Sequence, residues 1–563
     1  MKTKRVGIRG ILSILAAALS ASWAPVSAAP PAGDLLPQRP SARLQAVTAL
    51  SGGGALAAPC LTPIAQSIRS DRARATLGAR RSIGVLLADA PLSGERRVVD
   101  VDGTVLRFTV DRGSFDRVES ADENGNGRPD LVDAALSGIA KAHRLLVGQL
   151  ELPAPGALEI VIARLGSGVD GVSLPSASRG ERTLIWLDPA MRGGAAAFRR
   201  AAEHQYAHAI ASVSGLDASW GEALASWVTL ALEGSFDEKT SGSVGRRLGS
   251  LAGGLIVDDL DASIGNAAWF AFLDEAYGPT SVKLAIEELS GGDSQQAALD
   301  RALQRSAAAS MDGALREFQL WSLLVGPRDD RRHFSFASKM PAPSFAATAE
   351  ALPALSIQGD PEIAPMGCAA VRIDPAESSG GLSVRFEGDL TSRWGADLLL
   401  VRGDGTLHRV PVELGADQSG ELTVPLQGVR EGLLLVRNLD AEGRPARRYS
   451  WSARFEPGYP TEVGSLRAES AGDGGGAIVS WETEGERGVF GFNVLRAVAE
   501  GADESRVNPV WIPAVGDATA PAAYSFFDAG AAPGIRYRYR VEAVTPEGLA
   551  SRSEAVSLSP ASE

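Results

Sequence analysis

Cysteine and histidine are scarce in this chain of 563 residues, at two and five copies. Two cysteines exclude a framework of several disulfides. In an oxidising compartment Cys60 and Cys368 form either one disulfide or two buried thiols, and the disulfide is the expectation. Positive charge is also short, with 55 Lys and Arg against 68 Asp and Glu, a net charge of −13. Four of the basic residues, Lys2, Lys4, Arg5 and Arg9, stand at the very start, so the remainder is more acidic still. Such a chain is a poor binder of nucleic-acid phosphates, and no nucleic-acid partner is expected. Beyond residue 28 no apolar run approaches the length of a membrane span. Neither a phosphate-binding loop nor a G-x-S-x-G motif is present. What remains, 45% hydrophobic and 22% charged, is the composition of an ordinary globular protein. The length predicts about three to five domains.

The N-terminus reads as an export signal. Met1 to Arg9 is basic, Ile11 to Ala24 is apolar and rich in Ala and Leu, and Val26-Ser-Ala28 is a small-x-small cleavage site. The expectation is a signal peptide over 1–28, with the remainder secreted or held in the periplasm or at the cell surface. No transmembrane segment is expected after cleavage.

Residues 29–98, rich in Ala, Pro, Arg and Gly, read as a leader or pro-like segment. From 99 to 345 the pattern is mixed. Val105–Val110, Ala157–Ala163 and Thr183–Leu187 alternate or run apolar like strands. Helical spacing covers about 131–150, 195–213, 219–233, 265–277, 279–289, 294–306 and 310–324. A small sheet followed by a helix-rich half is an α+β reading. Beyond the Pro/Ala/Ser-rich segment Pro341–Pro353 the period switches to two. Seven short strands between Ala369 and Phe455, with a hairpin turn at Arg402-Gly-Asp-Gly405, predict a β-sandwich over 346–456. Glu456-Pro-Gly-Tyr-Pro460 reads as a linker to a last β-sandwich domain over 461–563. There a strand holding Trp481, a strand Phe490–Arg496 and a Tyr-rich strand ending at Val544 resemble a fibronectin type III domain. Tyr537, Tyr539, Val541 and Ala543 share its inner face.

The strongest local motif is Asp122-Glu-Asn-Gly-Asn-Gly-Arg-Pro-Asp-Leu-Val-Asp133. Oxygen side chains at Asp122, Asn124, Asn126, Asp130 and Asp133, the main chain at Arg128, and Gly127 at the sharp turn match a calcium-wrapping loop. The closing Asp makes it dockerin-like. One helix follows, so this is an EF-hand-like loop rather than a whole hand; the competing reading is a surface turn capping that helix.

The second motif is His204-Gln-Tyr-Ala-His208. Spacing i, i+4 on a helix puts both imidazoles on one face, as a tetrahedral zinc requires. Phe198, Ala202, Tyr206, Ala209 and Val213 mark the opposite, core-packing stripe. Trp220-Gly-Glu222-Ala-Leu-Ala-Ser-Trp227 opens the next helix, and a turn at Gly215 would bring Glu222 back as a third ligand. Ser219-x-x-Glu222 is also a capping box, which would employ Glu222 otherwise. His143, His333 and His408 lack an obvious functional role, and Trp186, Trp220 and Trp227 are expected in the core.

The order of calcium loop, two strands, HxxxH helix and W-x-E-A-x-A-x-W helix resembles secreted bacterial zincin metalloproteases with a glutamate third ligand. It is most similar to gluzincin-like proteins of myxobacterial type that carry C-terminal β domains. Trp269–Gly278 and Val325–Asp330 add to the likeness. The resemblance implies His204, His208 and Glu222 as zinc ligands, and Thr183–Leu187 as an edge strand that holds an extended peptide. It also implies a glutamate base after the first histidine, which deprotonates the water on zinc. This chain has Gln205 there, and an amide cannot accept that proton. Glu203 lies about 120° around the helix from the His pair and does not replace the base. The expectation is therefore an exported, catalytically impaired metalloprotease homologue that holds zinc, calcium and a peptide or protein partner. The alternatives are an active secreted zinc metalloprotease and an adhesive or structural envelope protein.

Overall fold

The computed structural model describes residues 60, 62–63, 94–101, 104–111, 121–165, 169–174, 183–191, 193–257, 259–356, 362–377, 379–472, 475–498 and 503–558. The expected signal peptide over 1–28 lies outside them. The chain divides into two compact units, one running to Ser344 and one from Phe345 onward; the second also takes in Ala252–Gly254. Among the described residues no helix is long and apolar enough to cross a membrane.

The first unit carries a five-stranded sheet and a set of helices. Strands β1 (Gly94–Val101), β2 (Thr104–Asp111), β3 (Leu158–Ile162), β4 (Gly171–Leu174) and β5 (Thr183–Leu187) lie in the order β1-β2-β3-β5-β4. β1 begins inside the segment expected to be leader. β2, β3 and β5 run parallel, and β4 returns antiparallel to β5. The interior position of β3 explains its nearly unbroken apolar run, Leu-Glu-Ile-Val-Ile. β5 is likewise interior. The expectation that Thr183–Leu187 is the edge is corrected: β4 is the outer strand, too short to have shown a period.

Helix α1 (Asp130–His143) crosses between β2 and β3 and ends in a π turn, Arg144–Gln149. α2 (Gly194–Ser214) packs on β4 and β5, and α3 (Ala218–Glu233) packs back along it. Gly215, at φ 88°, makes the reversal between them in a conformation that suits glycine. Next come α4 (Glu238–Gly249), α5 (Leu260–Gly265), α6 (Ala267–Tyr277), α7 (Pro279–Leu289), α8 (Gln295–Ala307) and α9 (Met311–Leu323). Their starts follow capping chemistry: Asp237, Asp259, Ser294 and Ser310 each accept a first-turn N–H, and Pro279 opens α7. α4, Glu-Lys-Thr-Ser-Gly-Ser-Val-Gly-Arg-Arg-Leu-Gly, has little propensity and no clear apolar period, so it was not expected.

The second unit holds two β-sandwiches. In the first, β6 (Ala347–Ala349), β8 (Cys368–Ile373), β10 (Trp394–Arg402), β11 (Leu407–Pro411) and β13 (Val429–Asn438) form one sheet. The other holds β7 (Ala354–Ser356), β9 (Gly381–Gly388), β12 (Ser419–Pro425) and β14 (Tyr449–Glu456). Leu382, Val384, Leu398, Leu400 and Leu434 lie between the layers. The hairpin at 402–405 is formed, with Gly405 N–H bonded to Arg402 O. In the last sandwich Trp481, Phe492, Tyr539 and Val541 are buried together. Its neighbour is packed against it: Leu549 sits in the first sandwich's core, and Gln427 and Arg552 exchange two hydrogen bonds. Tyr459 Oη donates to Thr423 O, so residues 456–460 are not a loose linker.

Candidate metal centre

α2 and α3 bring His204, His208 and Glu222 together. Glu222 Oε1 lies 3.4 Å from His204 Nε2 and Oε2 lies 3.0 Å from His208 Nε2; the two Nε2 atoms are 3.2 Å apart. Glu222 is not spent on a capping box. Asp217 is the N-cap of α3, accepting from Trp220 N, and Ser219 pairs instead with Ser263.

A fourth donor was missed by the sequence reading. Cys60 Sγ lies 3.3 Å from His208 Nε2, and the ligand atoms of Cys60, His204, His208 and Glu222 all fall within 4.8 Å of one another. Among the described residues this is the one group of three or more His, Cys, Asp or Glu placed to hold a metal. The disulfide expected between Cys60 and Cys368 is therefore corrected: no bond joins them. Cys60 is buried among the imidazoles, and Cys368 is buried at the start of β8. A lone pair of cysteines in a chain with an export signal suggests a disulfide; only tertiary structure shows a thiol facing two histidines.

A tetrahedral zinc holds its donor atoms about 3.3–3.8 Å apart at bond lengths of about 2.0–2.3 Å; the 3.3 and 3.4 Å separations fall in that range, and the 3.0 and 3.2 Å ones would have to open by a few tenths of an ångström. The donor set also balances charge, since two neutral imidazoles, one thiolate and one carboxylate neutralise a divalent ion. His208 Nδ1 is buried without a hydrogen-bond partner, and Glu222 Oε2 meets only His208 Nε2. An ion between the donors would employ the carboxylate oxygen. The ions of the metal-free cluster compensate one another. For Glu222, burial works against the carboxylate, yet the His204 and His208 contacts hold it well below the ordinary range. Burial disfavours the charged form of His204, but Glu222 and Cys60 together outweigh it, raising His204 well above its usual value. His208 also rises, against burial, through Cys60 and Glu222. Burial and Glu222 push the Cys60 thiol up, but the histidines prevail and bring it down to about 6.

The site is nearly sealed: the side chains of His208 and Glu222 are 0% and 1% exposed, and only His204, at 16%, reaches solvent. Gln205, between the two histidines on α2, spends both amide atoms on the N-terminal segment. Its Nε2 donates to Cys60 Sγ at 3.2 Å, and its Oε1 accepts from Thr62 Oγ1 at 2.9 Å. Glu203 points elsewhere, buried between α1 and α2 beside Arg199, whose Nη2 holds Glu233 at 2.6 Å. Burial, then the Glu233 charge, push the Glu203 carboxyl up to about 7. On the core stripe Phe198, Ala202, Tyr206 and Ala209 are buried, whereas Val213 in the last turn is exposed. Tyr206 Oη bonds His143 Nδ1 at 2.6 Å, tying α2 to α1. His333 pairs with Asp330, His408 is exposed, and Trp186, Trp220 and Trp227 are buried.

The 122–133 loop forms but turns its polar groups on itself. Asp122 accepts from Asn126 N and Gly127 N, and Asp130 accepts from Glu123 N. Asp133 is engaged by Asn124 Nδ2, Asn126 Nδ2 and the Arg128 guanidinium at 2.7 Å.

No protein-family model matches the chain, and no curated protein matches it. Among solved structures it is similar to an Fn3-like protein from Clostridium thermocellum, at 22% identity over 18% of this chain and 96% of that one, with a TM-score of 0.14. The adhesin domain of Epf from Streptococcus pyogenes is 12% identical over 35% and 73%, TM-score 0.15. The CBM22-1-CBM22-2 tandem domain of Paenibacillus barcinonensis Xyn10C is 9% identical over 37% and 92%, TM-score 0.13. At these TM-scores they bear on neither the site nor its chemistry.

Proposed function

We propose that the first unit is a zincin-like domain that holds zinc through His204, His208 and Glu222 and has lost efficient peptide hydrolysis. On this reading it is exported, as its N-terminal sequence implies, and binds a peptide or protein partner. The observation that carries the reading is the pairing of a converged donor set with Gln205. When bound, zinc would supply Lewis acidity and charge stabilisation. The chain's own residues do the rest. The imidazoles and Glu222 orient the donors, and Gln205 gives hydrogen bonds but takes no proton. Glu203 is turned into the α1–α2 contact and is no substitute. Calcium at 122–133 is a second, structural ligand of the same domain.

Metal analysis of the purified protein tests this: about one zinc per chain, lost in His204→Ala or His208→Ala, with no cleavage of peptide substrates. Gln205→Glu restores a base and recovers weak activity. Robust chelator-sensitive cleavage by the wild type overturns the impaired reading. Absence of zinc moves the assignment to an adhesive or structural protein, a reading favoured by exposed Phe490 and Trp511, which pack edge to face on the last sandwich.

A further inference from the structure

We infer that Cys60 is a fourth, intramolecular ligand that closes this metal centre, and that Gln205 is the clamp that keeps it there. The inference rests on the zinc reading above and gives the site a built-in occupant.

Three independent contacts place the thiol. Cys60 forms a parallel β-bridge to Gly171 on β4, the outer strand of the sheet, at a point where an added peptide strand would pair. Thr62 Oγ1 accepts from Ser173 N at 2.8 Å and donates to Gln205, anchoring the segment to strand and helix at once. Gln205 Nε2 then donates to the sulfur itself. Gly171 lets Gln205 come close to β4: a Cβ there would stand 2.8 Å from Trp186 O and 2.9 Å from Gln205 Cγ. The residue that disables the base is thus the residue that fits the strap. Glutamate at 205 would set a carboxylate oxygen against the sulfur and remove the donor. Closure needs no oxidant or reductant; the protons shared by the thiol and the imidazoles leave to solvent as the metal bonds form.

Such a centre is four-coordinate and closed, the pattern of a zinc site with no position left for a substrate. The strap makes the first unit self-occupied, and displacing or modifying Cys60 would open one coordination position next to β4.

The test is cobalt substitution of the full-length protein, read by absorbance. The wild type should bind one cobalt per chain and show a near-ultraviolet thiolate-to-cobalt charge-transfer band. Cys60→Ser should keep the metal, lose the band and bind zinc about 10–100-fold more weakly, the loss expected when a site's support is removed. One metal per chain without the band overturns the strap and leaves the zinc reading standing. No metal in the wild type overturns both. Because Cys60→Ser could fold poorly, the unmutated protein gives a second readout. Iodoacetamide should label Cys60 faster after chelation, with Cys368 as the internal reference; equal Cys60 rates with and without zinc overturn the inference. Gln205→Glu should speed labelling of Cys60 in the zinc-loaded protein while leaving Cys368 unchanged. An unchanged Cys60 rate in that variant removes the clamp.

Discussion

Two places in the first unit were expected to hold a cation, and they are built in opposite ways. The 122–133 loop is exposed, and its carboxylates already take N–H donors and a guanidinium from their own segment. At the other site four donors from the N-terminal segment, α2 and α3 converge in a buried pocket, where one ring nitrogen lacks a hydrogen bond. Local sequence can satisfy itself, so a motif read within twelve residues makes a good turn with or without an ion. Donors brought together across 162 positions of chain satisfy one another only by packing like and unlike groups into a sealed pocket, at the cost of burying them. The energetic reason to bind an ion is therefore larger at the second place.

The largest expected effect breaks the second place outright. His208→Ala removes one counter-charge to Glu222 and Cys60 in a sealed site and should cost about 3–5 kcal/mol, with loss of metal. A change below about 1 kcal/mol in denaturant unfolding would show that the four side chains are not coupled. Next comes the ion itself. Free zinc at about 100 times its Kd should stabilise the wild type by about 2.7 kcal/mol over chelated protein. That gain should grow with pH, because the ion displaces protons from imidazole and thiol. A gain that shrinks as pH rises contradicts the donor set.

Glu203 controls for burial without an ion. Its folded-state carboxyl is raised to about 7 from 4.5, so the folded state holds the proton more tightly. The associated stability is full below pH 4.5 and is lost as pH climbs towards 7. Glu203→Gln should flatten this dependence and exceed the wild type by about 1–3 kcal/mol above pH 7. Identical pH profiles of the two proteins would refute it. The smallest effect belongs to the loop. Calcium should raise wild-type melting over chelator by about 1 kcal/mol or less, since Asp133 must first release Arg128. Asp122→Ala should abolish that increment and lower the chelated baseline too, through its lost bonds to Asn126 and Gly127. A calcium effect larger than that of zinc would invert the comparison.

How much of this was legible depends on the range of the interaction. The sandwich strands, the capped helices and the His pair are written in periods of two and 3.6 and in short caps, and their observed bounds fall within a few residues of the expected ones. β1, β4, α4 and α5 were missed: β1 straddles the segment read as leader, four residues of β4 and six of α5 carry no period, and the Gly/Ser-rich α4 forms only through tertiary packing. The third ligand was legible only as an ambiguity; Asp217 resolved it by taking the capping role. Cys60 was assigned to the wrong partner. The signal that could have found it was the coincidence of a lone N-terminal cysteine with a glutamine between the two histidines. Neither feature points to the other until the chain is folded.

Leu549 is a residue of the last sandwich that completes the core of the sandwich before it. With the paired bonds of Gln427 and Arg552, it ties the two sandwiches to each other at a point far along the chain from the segment that connects them. A chain ended near residue 460 would be left with an open apolar socket, not merely a shorter tail.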